Sequence, residues 1–131
     1  MNIKERSDQL VSVPGFLLRR LYVKGSLRNS SRGVQLQLKN SLGSGYARAM
    51  LPIHIDDQEF PLEQSLFIVD GNEVTFSSVN EDNPFTIALN KVLTILVKGI
   101  SLESGTHRIA MGFVVPGLGS LKFDVKDTIR D

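Results

Sequence analysis

Apolar and polar residues alternate with a period of two along much of this 131-residue chain, and Gly, Pro, Asp and Asn interrupt the alternation at short intervals. Successive side chains of a strand point to opposite faces, so such a chain builds many short, half-buried strands and few helical stripes. Val34, Leu36 and Leu38 alternate with Gln35, Gln37 and Lys39, and Ile53 and Ile55 alternate with His54 and Asp56. Residues 66–69 run into Asp70-Gly71-Asn72, after which Val74 and Phe76 share a face; strand, Asp-Gly turn and strand form a hairpin signal. Phe85, Ile87 and Leu89 alternate in turn, and residues 92–97 are an apolar run suited to a central strand.

The last third continues the pattern. Leu102-Glu103-Ser104-Gly105 reads as a turn, and His107, Ile109, Met111 and Phe113 fall on one side of the strand after it. Val115-Pro116-Gly117-Leu118 places proline and glycine where a type II turn wants them, and Leu121, Phe123 and Val125 return as the partner strand. Counting residues 16–24, about eight strands emerge, with residues 61–65 the one candidate short helix. The expected fold is an all-β, antiparallel β-sandwich of jelly-roll or immunoglobulin-like type, with an open α+β sheet as the competing architecture. The length fits one domain, placed at 15–131 behind a polar N-terminal extension at 1–14. No internal repeat of useful length is present.

Composition removes several function classes. With no cysteine, disulfide scaffolds, thiol catalysis, thiolate zinc and iron–sulfur clusters are excluded. Hydrophobic residues at 41% and charged residues at 22% exclude wholesale disorder. Residues 1–9 lack the apolar core of a secretory signal, and residues 92–97, the longest apolar stretch, are too short to span a membrane, so the expected compartment is the cytoplasm.

The formal charge of +1 hides an asymmetry: residues 1–50 hold nine bases against two acids, and residues 51–131 hold six bases against twelve acids. A basic docking face is one reading. Interleaving of N-terminal and C-terminal strands, so that the charges cancel, is the favoured one. Arg19, Arg20, Lys24, Arg28, Arg32 and Arg48 come without an aromatic ribonucleoprotein motif or zinc-finger spacing, which argues against a nucleic-acid partner.

Candidate chemistry is sparse. His54 and Asp56 occupy alternate positions and so share one strand face, where a carboxylate orienting an imidazole makes a general base; a solvent-side polar pair is the plainer interpretation. His107, at a strand start, reads as a capping or surface residue. Asp56, Asp57, Glu59, Glu81 and Asp82 are acidic turn residues without calcium-loop spacing, so no metal is expected. Gly43-Ser44-Gly45 precedes no helix, Gly-Lys-Ser/Thr is missing and no Gly-x-Ser-x-Gly occurs, so no cofactor is expected either. Tyr46 and Arg48 stand together in a loop, and as residue types enriched in binding hot spots they are the candidate partner-binding pair.

Tyr46, Arg48, Leu51, Asp56, Glu59, Phe60, Pro61, Asp70 and Gly71 follow an aromatic-x-Arg loop, strand, Glu-apolar-Pro, strand and Asp-Gly pattern. In this the chain resembles the small β-subunit family of bacterial C-glycoside deglycosidases. Leu102-Glu103-Ser104-Gly105-Thr106-His107 is similar to that family's last turn, whereas Asp56-Asp57 replaces its Asp-Gly and residues 1–14 are an extra segment. The resemblance implies a β-sandwich that assembles with a larger α/β-barrel subunit, which supplies the metal and catalytic histidine for cleaving a sugar–carbon bond. Chains similar to this one also go under hydroxymethylglutaryl-CoA reductase; 131 residues without a dinucleotide loop cannot house both a nicotinamide cofactor and a coenzyme A thioester, so that label is set aside.

Three functional expectations follow. The first is a non-catalytic accessory subunit of a larger sugar-modifying enzyme, contacting it through Tyr46 and Arg48. A stand-alone homo-oligomeric enzyme using His54 and Asp56 is the second, and a self-assembling structural module with bipolar charge is the third.

Overall fold

The computed structural model describes residues 13–43 and 45–130, with residue 87 described by its backbone alone. Most of the expected 1–14 extension, and Ser44 of the glycine loop, lie outside the described residues. The chain opens with a single helical turn, α1 (Gly15–Leu18), continued by a 3-10 turn at Arg19–Leu21. Twelve strands follow among the described residues: β1 (Arg28–Asn29), β2 (Gly33–Lys39), β3 (Gly45–Ala47), β4 (Ala49–Met50), β5 (Ile53–Ile55), β6 (Gln58–Phe60), β7 (Ser65–Val69), β8 (Asn72–Thr75), β9 (Phe85–Ile87), β10 (Val92–Lys98), β11 (Gly105–Val115) and β12 (Gly119–Ile129).

Two antiparallel sheets carry the fold. One runs β1-β2-β10-β7-β8 and the other β12-β11-β5-β6, with β4 added to β11; β3 and β9 form a separate two-stranded ribbon. The all-β sandwich is therefore observed. It has more strands than the eight expected, because a bend at Arg48 and the irregular Leu51-Pro52 pair cut the stretch between β3 and β5 into pieces of two or three residues. The run at 92–97 is the central strand, flanked by β2 and β7.

Between the sheets, Val34, Leu36, Leu38, Ile95 and Val97 face Ile53, Ile109, Met111 and Phe123, all buried. Each such side chain contributes roughly 1.5–3 kcal/mol on leaving water. Phe67 stacks on Phe76 at 4.5 Å and on Phe85 at 4.0 Å, which fastens the β9 ribbon to the first sheet.

Turn chemistry sets the registers. Asp70 (φ 52°) and Gly71 (φ 80°) form the two-residue turn between β7 and β8, as their sequence predicts. Asp56 (φ 51°) and Asp57 (φ 69°) make the same kind of turn between β5 and β6 without a glycine. Gly117 (φ 83°) takes the position after Pro116 in the β11–β12 turn, closed by the Leu118 amide donating to the Val115 carbonyl at 3.0 Å.

The first segment departs from the expected strand. Residues 15–21 coil, which puts Leu18 and Leu21 three positions apart on one buried face while Phe16 stays 65% exposed. This turn packs on β12, an edge strand of the second sheet, and the Arg19 guanidinium donates to the Asp124 carbonyl there at 3.0 Å. An edge strand needs such cover, and only a coil presents two leucines and an arginine to it together. At 61–65 the short helix is a 3-10 turn, Leu62–Gln64, and Ser65 already belongs to β7.

Charge does interleave between the halves. Arg19 pairs with Asp124 at 3.5 Å, Arg48 with Glu81 at 3.4 Å, and Arg32 with Glu73.

Ser65 is fully buried and its hydroxyl has no hydrogen-bond partner. An unpaired buried hydroxyl costs more than an apolar group of similar shape. Ser65→Ala is expected to raise stability by about 1 kcal/mol, read as a higher urea midpoint at unchanged slope. A lower midpoint would count against the unpaired hydroxyl.

Candidate functional site

Two places gather functional side chains: a polar cluster at the β5–β6 turn and an apolar cavity at one end of the sandwich.

His54 and Asp56 do not come together. His54 sits opposite Glu59 in the β5–β6 pair, its Nε2 3.2 Å from Glu59 Oε1, with both side chains well exposed. Asp56 has already left the strand: its left-handed backbone starts the turn and carries the carboxylate away from the His54 face. It meets residues 51 and 52 positions further on. Its Oδ1 accepts from the Arg108 amide at 3.0 Å, and its Oδ2 lies 2.6 Å from His107 Nδ1.

His107 is thus the histidine that Asp56 holds, and its side chain is only 13% exposed. The other ring nitrogen, Nε2, donates to the Glu103 carbonyl at 2.7 Å. A carboxylate and a carbonyl are both acceptors, so both ring nitrogens serve as donors and the imidazolium is the favoured form. The Asp56 bond foremost, and then the Glu103 carbonyl, push the His107 pKa up. The Arg108 amide first, and then His107, hold the Asp56 carboxyl below its ordinary value. Neither nitrogen is free to accept a proton from a substrate. The cluster instead clips the β5–β6 turn to β11 and to the connection before it.

Its pH dependence has a definite sign. The raised His107 pKa contributes stability that is full below about pH 6.5 and lost as pH rises through the folded value. The lowered Asp56 pKa contributes stability that is full above about pH 4 and lost as pH falls through its folded value. His107→Gln is therefore expected to cost most near pH 5.5 and progressively less toward pH 9, measured as the difference in thermal midpoint from the parent. An equal difference at both pH values would refute the clip.

At the other site, a cavity of about 380 Å³ opens between the sheets. Leu18 and Leu21 of the first coil, Leu38 of β2, Leu93 of β10, Met50 of β4 and Met111 of β11 line it, and Leu42, Tyr46 and Leu118 stand at its edge. Those three are 41%, 47% and 36% exposed, which is high for large apolar side chains. Asn40, buried among the lining, braces the adjoining loop: its amide donates to the Gly43 carbonyl at 2.5 Å, and its Oδ1 accepts from Leu42 N at 3.2 Å. A second, more polar hollow adjoins it, sharing Val13, Leu18, Val115, Leu118 and Leu121 and adding Arg48 and the turn at 116–120. Tyr46 and Arg48 thus flank one end of the sandwich, one beside each hollow. The cavity has no signal in the sequence, since it arises from the separation of strands distant along the chain.

What these features define is a β-sandwich with a polar clip on one hairpin and an apolar cavity at its end. The family model described as hydroxymethylglutaryl-CoA reductase, N-terminal domain, matches residues 17–130, and the chain belongs to this family. No curated protein matches the chain. The match corrects the resemblance to the C-glycoside deglycosidase β-subunits, which rested on turn residues such as Asp70-Gly71 that any hairpin-rich fold needs. It also corrects the setting aside of the reductase label: the space needed for cofactor and thioester bears on a catalytic portion, whereas the matching family is an N-terminal domain. No helix among the described residues is long and apolar enough to cross a membrane.

Proposed function

We propose that this chain is a non-catalytic accessory domain that works in association with a larger catalytic unit. The observation that carries this reading is the exposed apolar rim of Leu42, Tyr46 and Leu118 with Arg48 beside it. Asn40 also holds the segment before β10 beside this loop, through the Lys91 carbonyl and the Asn90 amide. A contiguous apolar patch with polar residues around it is characteristic of an interaction surface. The family description supports the same reading, because it names a domain of an enzyme and places it before the rest. Tyr46 supplies a flat amphipathic contact, and Arg48, whose one ionic partner among the described residues is the exposed Glu81, can exchange that partner at little cost. The cysteine-free composition supports a cytoplasmic setting.

The test is co-purification of the tagged chain at low salt with a stoichiometric catalytic polypeptide, repeated with Tyr46→Ala/Arg48→Ala. Loss of the complex at an unchanged melting temperature is the expected result. Co-elution unaffected by the double substitution, or turnover by the chain alone that His54→Ala abolishes, would overturn the reading.

A further inference from the structure

We propose that the end cavity binds a medium-chain fatty acid, with the alkyl tail between the sheets and the carboxylate at Arg48. About 380 Å³ falls within the roughly 300–1,000 Å³ typical of small-molecule sites. Its lining is mainly apolar, with Leu38, Leu93, Met50, Met111, Phe67 and Phe113 drawn from both sheets and Asn40 and Tyr46 adding polar atoms, so an unbranched chain meets mostly apolar atoms there and methionine adapts to its shape. The adjoining hollow is different in character: the 116–120 turn lines it, together with two cations, Arg48 and Lys122. Arg48 has one ionic partner among the described residues, Glu81, whose side chain is 76% exposed, and that pair is readily given up for a carboxylate. Because the two hollows share Leu118 and Leu121, a single molecule can span them, tail in the apolar part and charge in the polar part. An amphipathic anion satisfies both halves, whereas a neutral hydrocarbon leaves the second unused. This inference concerns the isolated chain and no partner, so it can fail without the accessory reading failing, and the reverse.

The experiment is calorimetric titration of the full chain with hexanoate, octanoate, decanoate and dodecanoate, and with decanol as the neutral control. Affinity is expected to rise about fourfold per added methylene until the cavity is full. Arg48→Gln is expected to weaken decanoate at least about tenfold while leaving decanol unchanged, which also shows that the variant is folded. Ala47→Val, which narrows the cavity, should shift the best chain length downward; if that variant does not fold, Leu42→Trp at the exposed mouth should weaken every member of the series. Affinity independent of chain length would overturn the tail assignment. Equal loss of decanoate and decanol in Arg48→Gln, or binding of decanol alone, would overturn the assignment of the carboxylate to Arg48.

Discussion

Gly33→Ala is expected to lower the thermal midpoint on the order of 10–20 °C, the largest effect of any single methyl group added to this chain. Gly33 begins β2 opposite Lys98 of β10, at the centre of the first sheet. A Cβ there would lie 2.0 Å from the Val97 carbonyl oxygen and 2.9 Å from the Lys98 Cα, both backbone atoms of a central strand. No rotamer relieves such a contact, so β2 and β10 would have to part where Val34 and Val97 are fully buried. The φ of 154° adds backbone strain for an L-residue. Strain and overpacking together amount to about 3–5 kcal/mol, a large share of the roughly 5–15 kcal/mol that holds a domain together. The control is Gly15→Ala: nothing lies within 4 Å of its Cβ position and the residue is helical, so stability should be unchanged or slightly raised. A Gly33→Ala midpoint within a degree or two of the parent would show that the sheet opens there easily.

Asp127→Ala should come second, at about 2–4 kcal/mol. One carboxylate oxygen of Asp127 accepts from the Tyr22 hydroxyl at 2.5 Å, the Gly25 amide at 2.9 Å and the Leu27 amide at 3.4 Å. The other accepts from the Thr128 amide at 2.8 Å. Burial by itself would raise the Asp127 pKa, but Tyr22 and the three amides together outweigh it and bring the carboxyl below its ordinary value. Burial first, and then Asp127, push the Tyr22 phenol far above its ordinary range. Removing the carboxylate leaves a half-buried hydroxyl and three amides without that acceptor, and frees the connection from residue 22 to residue 27. Tyr22→Phe removes one donor and keeps the hub, so it should cost only about 1 kcal/mol. Ultraviolet titration offers a second readout: in Asp127→Ala the high-pH tyrosine transition should move down, while burial keeps it above the ordinary phenol range. The two variants having equal urea midpoints would contradict a hub centred on Asp127.

Most of the sheet was legible because it is written in short-range pattern. Alternation placed Val34, Leu36 and Leu38 inside, and Asp70-Gly71 and Pro116-Gly117 fixed two hairpins whose backbone angles only such residues adopt readily. Residues 16–21 misled because Phe-Leu-Leu followed by Leu21 suits either a strand or one coil. The choice falls to the edge of β12, more than a hundred residues away. Likewise, a period of two put His54 and Asp56 on one face, yet that period ends where Asp56 turns left-handed. Its actual partner, His107, is fixed by the pairing of β5 with β11, which no local pattern encodes. Tyr46 and Arg48 read as a loop pair, whereas Tyr46 lies in β3 and Arg48 at the bend after it. Their common end of the sandwich, and the two hollows beside them, emerge only when both sheets are in place.

The attachment of residues 19–27 to β12 also bears on how the chain comes to be folded. Arg19 reaches Asp124, and Tyr22, Gly25 and Leu27 reach Asp127, across separations of 100 to 105 positions. The first coil is synthesised about a hundred residues before β12, the strand that is its docking surface. Until β12 pairs with β11, the coil lacks the strand it docks on, and one flank of β11 stays open. Closing loops of that length is slow relative to forming the Asp70-Gly71 hairpin, so the ends should lock last. A nascent chain of this domain therefore passes through a stage at which a nearly complete sandwich still shows a bare β-edge and loose leucines. That is the stage at which it is most open to capture by chaperones or by other unfinished copies of itself.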